Sequence, residues 1–305
     1  MNRRASRIFR RGSRPQAGAH PVELADGLEH AHGLDRTIRT LSTAVQKVLR
    51  PGPLKDALHG VPVGHPAHPP LTDVPMGCWI SAGVLDLIPG THRASQALVG
   101  AGLAAAVPTA LTGIADWGAL HRQQQRVGLV HAASTATATL LYSASFVARS
   151  RGRDGTGRAL GYAGLTALFA GGYLGGHLAF RQAAGASHAD QIAHLVPLGW
   201  HDLCAESELP DGWPVQRRLG YISLFVLRDG DEIHVLTDRC SHLAGPLHQG
   251  RIVGEGDDLC VICPWHGSTF RVADGSVVHG PATGRQPSFE SRVLEDGTVQ
   301  VRPIG

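Results

Sequence analysis

Two short stretches in the last third of the chain each pair a thiol with an imidazole: Cys240-Ser241-His242 and Cys263-Pro264-Trp265-His266. Thiolates and neutral imidazoles are metal ligands. Two such pairs can hold two irons, both cysteines on one and both histidines on the other. Neutral histidines in place of two thiolates lower the negative charge of a [2Fe–2S] cluster and raise its reduction potential. The same four residues could instead hold one zinc ion. Zinc fingers, however, place a helix after the first ligand pair, whereas strand-forming runs and Gly-rich turns surround both pairs here. The five cysteines (78, 204, 240, 260 and 263) are too sparse, and odd in number, for a disulfide framework. Cys260 reads as a small buried strand residue.

The segments that must position these ligands are short and β-like. Residues 221–227, 232–236, 259–262, 268–272, 287–294 and 298–303 form strand-like runs. Asp229-Gly230, Asp274-Gly275 and Asp296-Gly297 mark turns. A small all-β domain is expected over residues 205–305, after a linker at 182–204.

The first two thirds differ in kind. The charge balance is +6 over residues 1–60, +3 over 61–200 and −6 over 201–305. Residues 1–60 read as a basic tail ending in an amphipathic helix. Within it Leu34, Ile38, Leu41, Val45 and Val48 make one apolar stripe over 34–49. That stripe suits either an anionic membrane surface or the rest of the protein. No apolar core of 7–15 residues follows the Arg-rich start, so a cleavable signal is not expected. Four long apolar segments follow at 71–88, 94–117, 128–148 and 159–180, each near the roughly 20 residues that span a bilayer core. The arginines fall between or beside them. Gly171, Gly172, Gly175 and Gly176 give two overlapping small-xxx-small pairs suited to helix contacts in lipid. The expected architecture is therefore multidomain: a four-helix transmembrane domain over 61–181, then the β domain.

The stretch CSHLAGPLHQG, then CPWHGSTF, then ADGSVVHGPATG closely resembles the Rieske domain over about residues 205–305. The resemblance implies a β-sandwich capped by two ligand loops, with a [2Fe–2S] cluster on Cys240, His242, Cys263 and His266. It also matches Ser268 to a hydroxyl that donates to the cluster in the high-potential class. Gly245 and Trp265 stand where respiratory members carry a disulfide, and Phe270 replaces an expected Tyr. These departures point to a ferredoxin-type domain of intermediate-to-low potential. The segment GHPAHPPLTDVPMG (64–77) resembles a four-helix bacterial membrane family of unknown function, whose members occur fused to Rieske domains.

The expected function is one-electron transfer by a membrane-anchored Rieske ferredoxin, without a substrate-transforming site of its own. The expected partners are a reductase, an oxygenase or a quinone-linked component, together with the lipid membrane but no nucleic acid. Alternatively, the helices bind quinone or haem and the Rieske domain is the electron port of a membrane oxidoreductase. With alternating topology His65, His68, His131 and His177 fall toward the Rieske side, as do Asp73 and Asp116, and a haem could lie between His131 and His177. The Arg-rich start and the missing disulfide favour a bacterial cytoplasmic membrane with the Rieske domain in the cytoplasm.

Overall fold

The computed structural model describes residues 21–304. The Arg-rich tail at 1–20 lies outside the described residues. Three short helices come first: α1 (Pro21–Glu29), α2 (Asp35–Val48) and α3 (Pro53–His59). Four long ones follow: α4 (His68–Leu85), α5 (His92–Gly118), α6 (Arg122–Ser150) and α7 (Asp154–Gly176), the last continuing as a π-helical turn over His177–Arg181.

Local chemistry sets these boundaries. Pro53 opens α3 at a position where a missing N–H costs nothing, and Gly60 closes it at φ 90°. A Cβ on Gly60 would strike the backbone of His65 and Ala67, so the chain turns back tightly from α3 into α4. His121 caps α6, its backbone N–H donating to Gln124 Oε1 at 2.9 Å. Pro108 sits within α5, where Thr112 Oγ donates to the Pro108 carbonyl and Thr109 Oγ to that of Ala105.

The long helices run past the apolar segments expected of them. Arg93, Arg126, Arg149 and Arg158, expected in flanking loops, therefore lie inside helices near their ends. Two of these are buried because each meets a carboxylate. Arg126 Nε donates to Asp35 at 2.8 Å, and Arg149 spans both oxygens of Asp86 at 2.6 and 2.8 Å. The amphipathic stripe of α2 meets protein in part: Ile38 is fully buried and Val45 packs against Gly118 of α5, while Leu41 and Val48 are exposed. Of the long helices, α5 is long and apolar enough to cross a membrane by length and composition.

The β region holds two antiparallel sheets. Six strands, β1 (His201–Ala205), β2 (Val215–Leu219), β3 (Ile222–Asp229), β4 (Glu232–Thr237), β9 (Ser288–Val293) and β10 (Thr298–Pro303), pair in the order β1-β10-β9-β4-β3-β2. Four short ones, β5 (Arg251–Val253), β6 (Cys260–Ile262), β7 (Thr269–Arg271) and β8 (Val277–His279), pair in sequence order. The first strand begins at His201, inside the stretch read as linker, and pairs with β10. β3 is apolar on both faces. Phe225 and Leu227 join Leu236, Leu247, Val261 and Phe270 in one core, while Leu224 and Val226 join Val235, Phe289, Val299 and Val301 in the other. Cys260 is buried on β6, next to Val261 of the first core but not part of either core.

Candidate metal centre

Cys240 opens the loop after β4, and Cys263 opens the turn between β6 and β7. The two loops repeat one backbone design. The N–H of Cys240 donates to Gly245 O at 2.9 Å, and that of Cys263 to Ser268 O at 2.8 Å, each five residues on. Four residues after each cysteine, Ala244 and Gly267 have φ of 60° and 78° and donate back to the cysteine carbonyl. Ala244 thus holds a left-handed conformation that costs a non-glycine residue free energy, and the second loop has glycine there.

This turn aims backbone donors at sulfur. The N–H groups of His242 and Leu243 point at Cys240, and those of Trp265 and His266 at Cys263. The two buried thiols also hydrogen-bond to each other. That contact, with the amide donors, draws Cys263 down to about 7, while Cys240 is held well above the usual thiol range. Burial pushes His242 well below the ordinary imidazole range and His266 down to about 4, with neighbouring histidines adding to it. Both rings are therefore neutral at pH 7, the form that binds metal.

The two rings lie 5.1 Å apart at 86°. His242 Nδ1 is buried and, among the described residues, has no hydrogen-bond partner. An orphaned buried nitrogen is costly unless something absent here, such as a metal, satisfies it. A Cβ on Gly245 would come within 2.7 Å of Cys263 Sγ, so the sulfur occupies the space a side chain would need. Two thiols in mutual contact, two neutral imidazoles 5.1 Å apart and one orphaned ring nitrogen thus share two adjacent loops and fit a [2Fe–2S] cluster.

The supports of this site were not legible in the ligand motifs. Gln286 threads the first loop, accepting from Ser241 N at 2.9 Å and donating to Thr237 O and Arg239 O. Asp238, also buried, accepts from His248 N, Gln216 Nε2 and Ser223 Oγ. Ser268 is fully buried, and its Oγ accepts from Ala282 N at 3.0 Å, which leaves the hydroxyl proton free to donate elsewhere.

The helical part reaches this end of the β domain. Asp56 of α3 accepts from Gly280 N at 2.9 Å and contacts His279 Nδ1 at 2.8 Å. His59 is buried beside Gly280, with Nδ1 on Asp116 Oδ1 at 2.7 Å. The His121 ring, at the start of α6, lies 5.6 Å from His266 and 5.3 Å from Trp265. A cavity of about 300 Å³ lies here, lined by Glu29, His121, Gln124, Arg181, His188 and Leu243 among others.

The four histidines expected toward one side of the helical part are not grouped as expected. His131 and His177 have separate partners: His177 Nε2 bonds Glu29 Oε1 at 2.7 Å, and His131 Nδ1 bonds Gly171 O at 2.8 Å. His131 instead faces His68. His65 is exposed and bonds the Pro66 carbonyl, and Asp73 is exposed.

Residues 199–290 match the family described as the Rieske [2Fe–2S] domain, and residues 64–188 a family described as predicted membrane proteins (DUF2231). Ferredoxin CarAc of Metapseudomonas resinovorans is 34% identical over 33% of this chain and 92% of its own length. The ferredoxin subunit of anthranilate 1,2-dioxygenase from Burkholderia cepacia is 32% identical over 33% of this chain and 90% of its own. Among solved structures, the ferredoxin of carbazole 1,9a-dioxygenase from Nocardioides aromaticivorans is 24% identical, covering 34% of this chain and 98% of that one, with a TM-score of 0.31.

Proposed function

Because the chain belongs, through residues 199–290, to the Rieske [2Fe–2S] family, we propose that it is a membrane-anchored one-electron carrier whose cluster is held by Cys240, His242, Cys263 and His266. The observation that carries this reading is a pair of contacting thiols and a pair of neutral imidazoles on two adjacent loops, with the buried Nδ1 of His242 lacking a partner among the described residues. The cluster, when bound, supplies a one-electron couple. The chain keeps its two imidazoles unprotonated and aims four backbone N–H groups at the two sulfurs, which favours thiolate. Its relatives include a ferredoxin and the ferredoxin subunit of a dioxygenase, so a reductase or oxygenase is the class of soluble partner that fits.

Anchoring is carried by an inverted surface. Along the long helices the outward residues are large and apolar: Leu111 is 51% exposed, Phe169 55% and Leu140 71%. Ser95, Thr112, Ser145 and Arg149 point inward instead. A bundle facing water would reverse that distribution. At 1.5 Å per residue α5 extends about 40 Å, enough for a bilayer core of about 30 Å. In this reading α4–α7 all span a bacterial cytoplasmic membrane, and the Arg-rich start and the Rieske domain share the cytoplasmic side.

The test is a potentiometric titration of the protein purified from membranes. A single-electron transition in the lower half of the Rieske range, about −150 to +300 mV, is expected. A value near the top of that range rejects the ferredoxin-type assignment, and a protein with zinc and no iron rejects the cluster. In the same titration Ser268→Ala has a lower potential than the wild type, because the free hydroxyl proton stabilises the more negative reduced state. A hydrogen bond to a charged acceptor contributes about 1.5 kcal/mol. That corresponds to about 60 mV for one electron.

A second reading has its own observation. The imidazole of His121 stands against His266, and the α3 carboxylate of Asp56 holds the Gly280 loop. The ligand end of the domain therefore faces the helical part, as it would if the cluster were the electron port of a membrane oxidoreductase.

A further inference from the structure

Two half-buried histidines of the chain's helical part share a geometry that plain packing does not require. His68 opens α4 and His131 lies in α6. Each donates its Nδ1–H to a backbone carbonyl of another helix: His68 to Thr109 O at 2.9 Å, His131 to Gly171 O at 2.8 Å. A carbonyl accepts only, so each contact fixes the tautomer with the proton on Nδ1 and the lone pair on Nε2. Among the described residues neither Nε2 has a hydrogen-bond partner, and neither is sealed from its surroundings.

This is the arrangement that orients a metal-binding imidazole: one nitrogen fixed by a carbonyl, the other left as the ligand. The two ring centres lie 6.4 Å apart, with planes at 88°. Two imidazoles on opposite sides of one metal, each bonded at about 2.0–2.1 Å, have ring centres about 6–6.5 Å apart. A tetrahedral site would bring them closer. Opposite ligation by two histidines leaves four equatorial positions, which a planar tetrapyrrole fills.

Glycines flank both rings. A Cβ on Gly113 would come within 2.7 Å of His68 Cε1, and one on Gly175 within 3.2 Å of His131 Cε1. Any side chain there would displace an imidazole. The site also adjoins the cluster end of the β domain. The N–H of Ala67, next to His68, donates to the carbonyl of His59, and His59 packs against Gly280.

We propose that His68 and His131 are the axial ligands of a haem iron that exchanges electrons with the [2Fe–2S] centre of the same chain. The exchange moves one electron: the cluster returns to its oxidised state as ferric iron becomes ferrous, and no proton moves. The assignment rests on the reading of the Rieske domain as an electron port.

The full chain, expressed with haem supply and purified in detergent, is examined by optical and EPR spectroscopy. About one haem per chain is expected, with a low-spin signal in the oxidised protein. His68→Ala and His131→Ala each lower haem content tenfold or more, or convert the signal to high-spin, and His177→Ala leaves it unchanged. The cluster EPR of the reduced variants, at wild-type intensity, shows that they are folded. A protein without haem overturns the proposal, as does a metal bound without porphyrin, or a low-spin signal that survives both substitutions. Low-spin haem that the reduced cluster fails to reduce leaves the ligand assignment standing and defeats the electron-port reading.

Discussion

Cys263→Ala protein emerges from purification colourless, with iron reduced from about two atoms per chain to background. Both loops place their cysteines beneath the β-domain surface with backbone donors aimed at sulfur, so no water or exposed side chain can substitute for the lost ligand. Changes to residues that merely orient metal ligands cost about 10–100-fold in affinity, and removing a ligand costs more. The loss also reaches the fold, because binding free energy of a site absent from the unfolded chain is folding free energy. The Cys263→Ala domain therefore melts at a lower temperature than the iron-loaded wild type, with its sheet content retained in the cold. Cys260→Ala separates ligation from burial. Cys260 is a buried β6 thiol three residues before Cys263, and burial raises it above the usual thiol range. The variant keeps its iron and its spectrum and loses only packing. Equal iron loss in the two variants would mean that the site responds to general damage rather than to ligation.

The ligand loops were legible because their chemistry is local. A cysteine and a histidine two or three residues apart can share one turn, and the repeated amide pattern around Cys240 and Cys263 follows from that spacing. Strands β3, β4, β9 and β10 were legible for a similar reason, being apolar runs closed by Asp-Gly turns. β2 and β5 were not. β2 places Gln216 and Arg218 outward between half-buried neighbours, and β5 is three residues long. What supports the site lies far away in sequence. Asp56 and His59 sit in the 1–60 stretch, read as a basic tail with an amphipathic helix at 34–49, yet they reach Gly280. The pairing of His131 was equally hidden. Alternating topology puts four histidines at one end of a bundle, but helix rotation decides which two meet, and no spacing within a single helix encodes it.

Rotation also explains the arginine at the other end. Arg149→Met destabilises the helical part by about 3–5 kcal/mol, the cost of leaving the partner of a buried ion pair uncompensated. Arg149 and Asp86 have side chains 1% and 4% exposed, joined by two hydrogen bonds of 2.6 and 2.8 Å. Arg149 donates further to Ser95 Oγ and Ser145 Oγ, so the guanidinium ties the end of α4 to α5 and α6. Removing it leaves the carboxylate with Ser95 as its remaining side-chain donor and only the more exposed Arg158 as a nearby positive charge. The double variant Arg149→Met, Asp86→Leu recovers most of the loss, because apolar residues of similar volume replace a buried pair at little net cost. Unfolding of the three variants in one detergent gives a double-mutant cycle, and strong coupling between the positions is expected. If the two single losses simply add, Arg149 acts through its serine contacts instead. The pair then explains why α4, the segment interrupted by acidic residues at both ends, still forms a continuous helix. Its C-terminal charge is neutralised from α6 rather than by solvent.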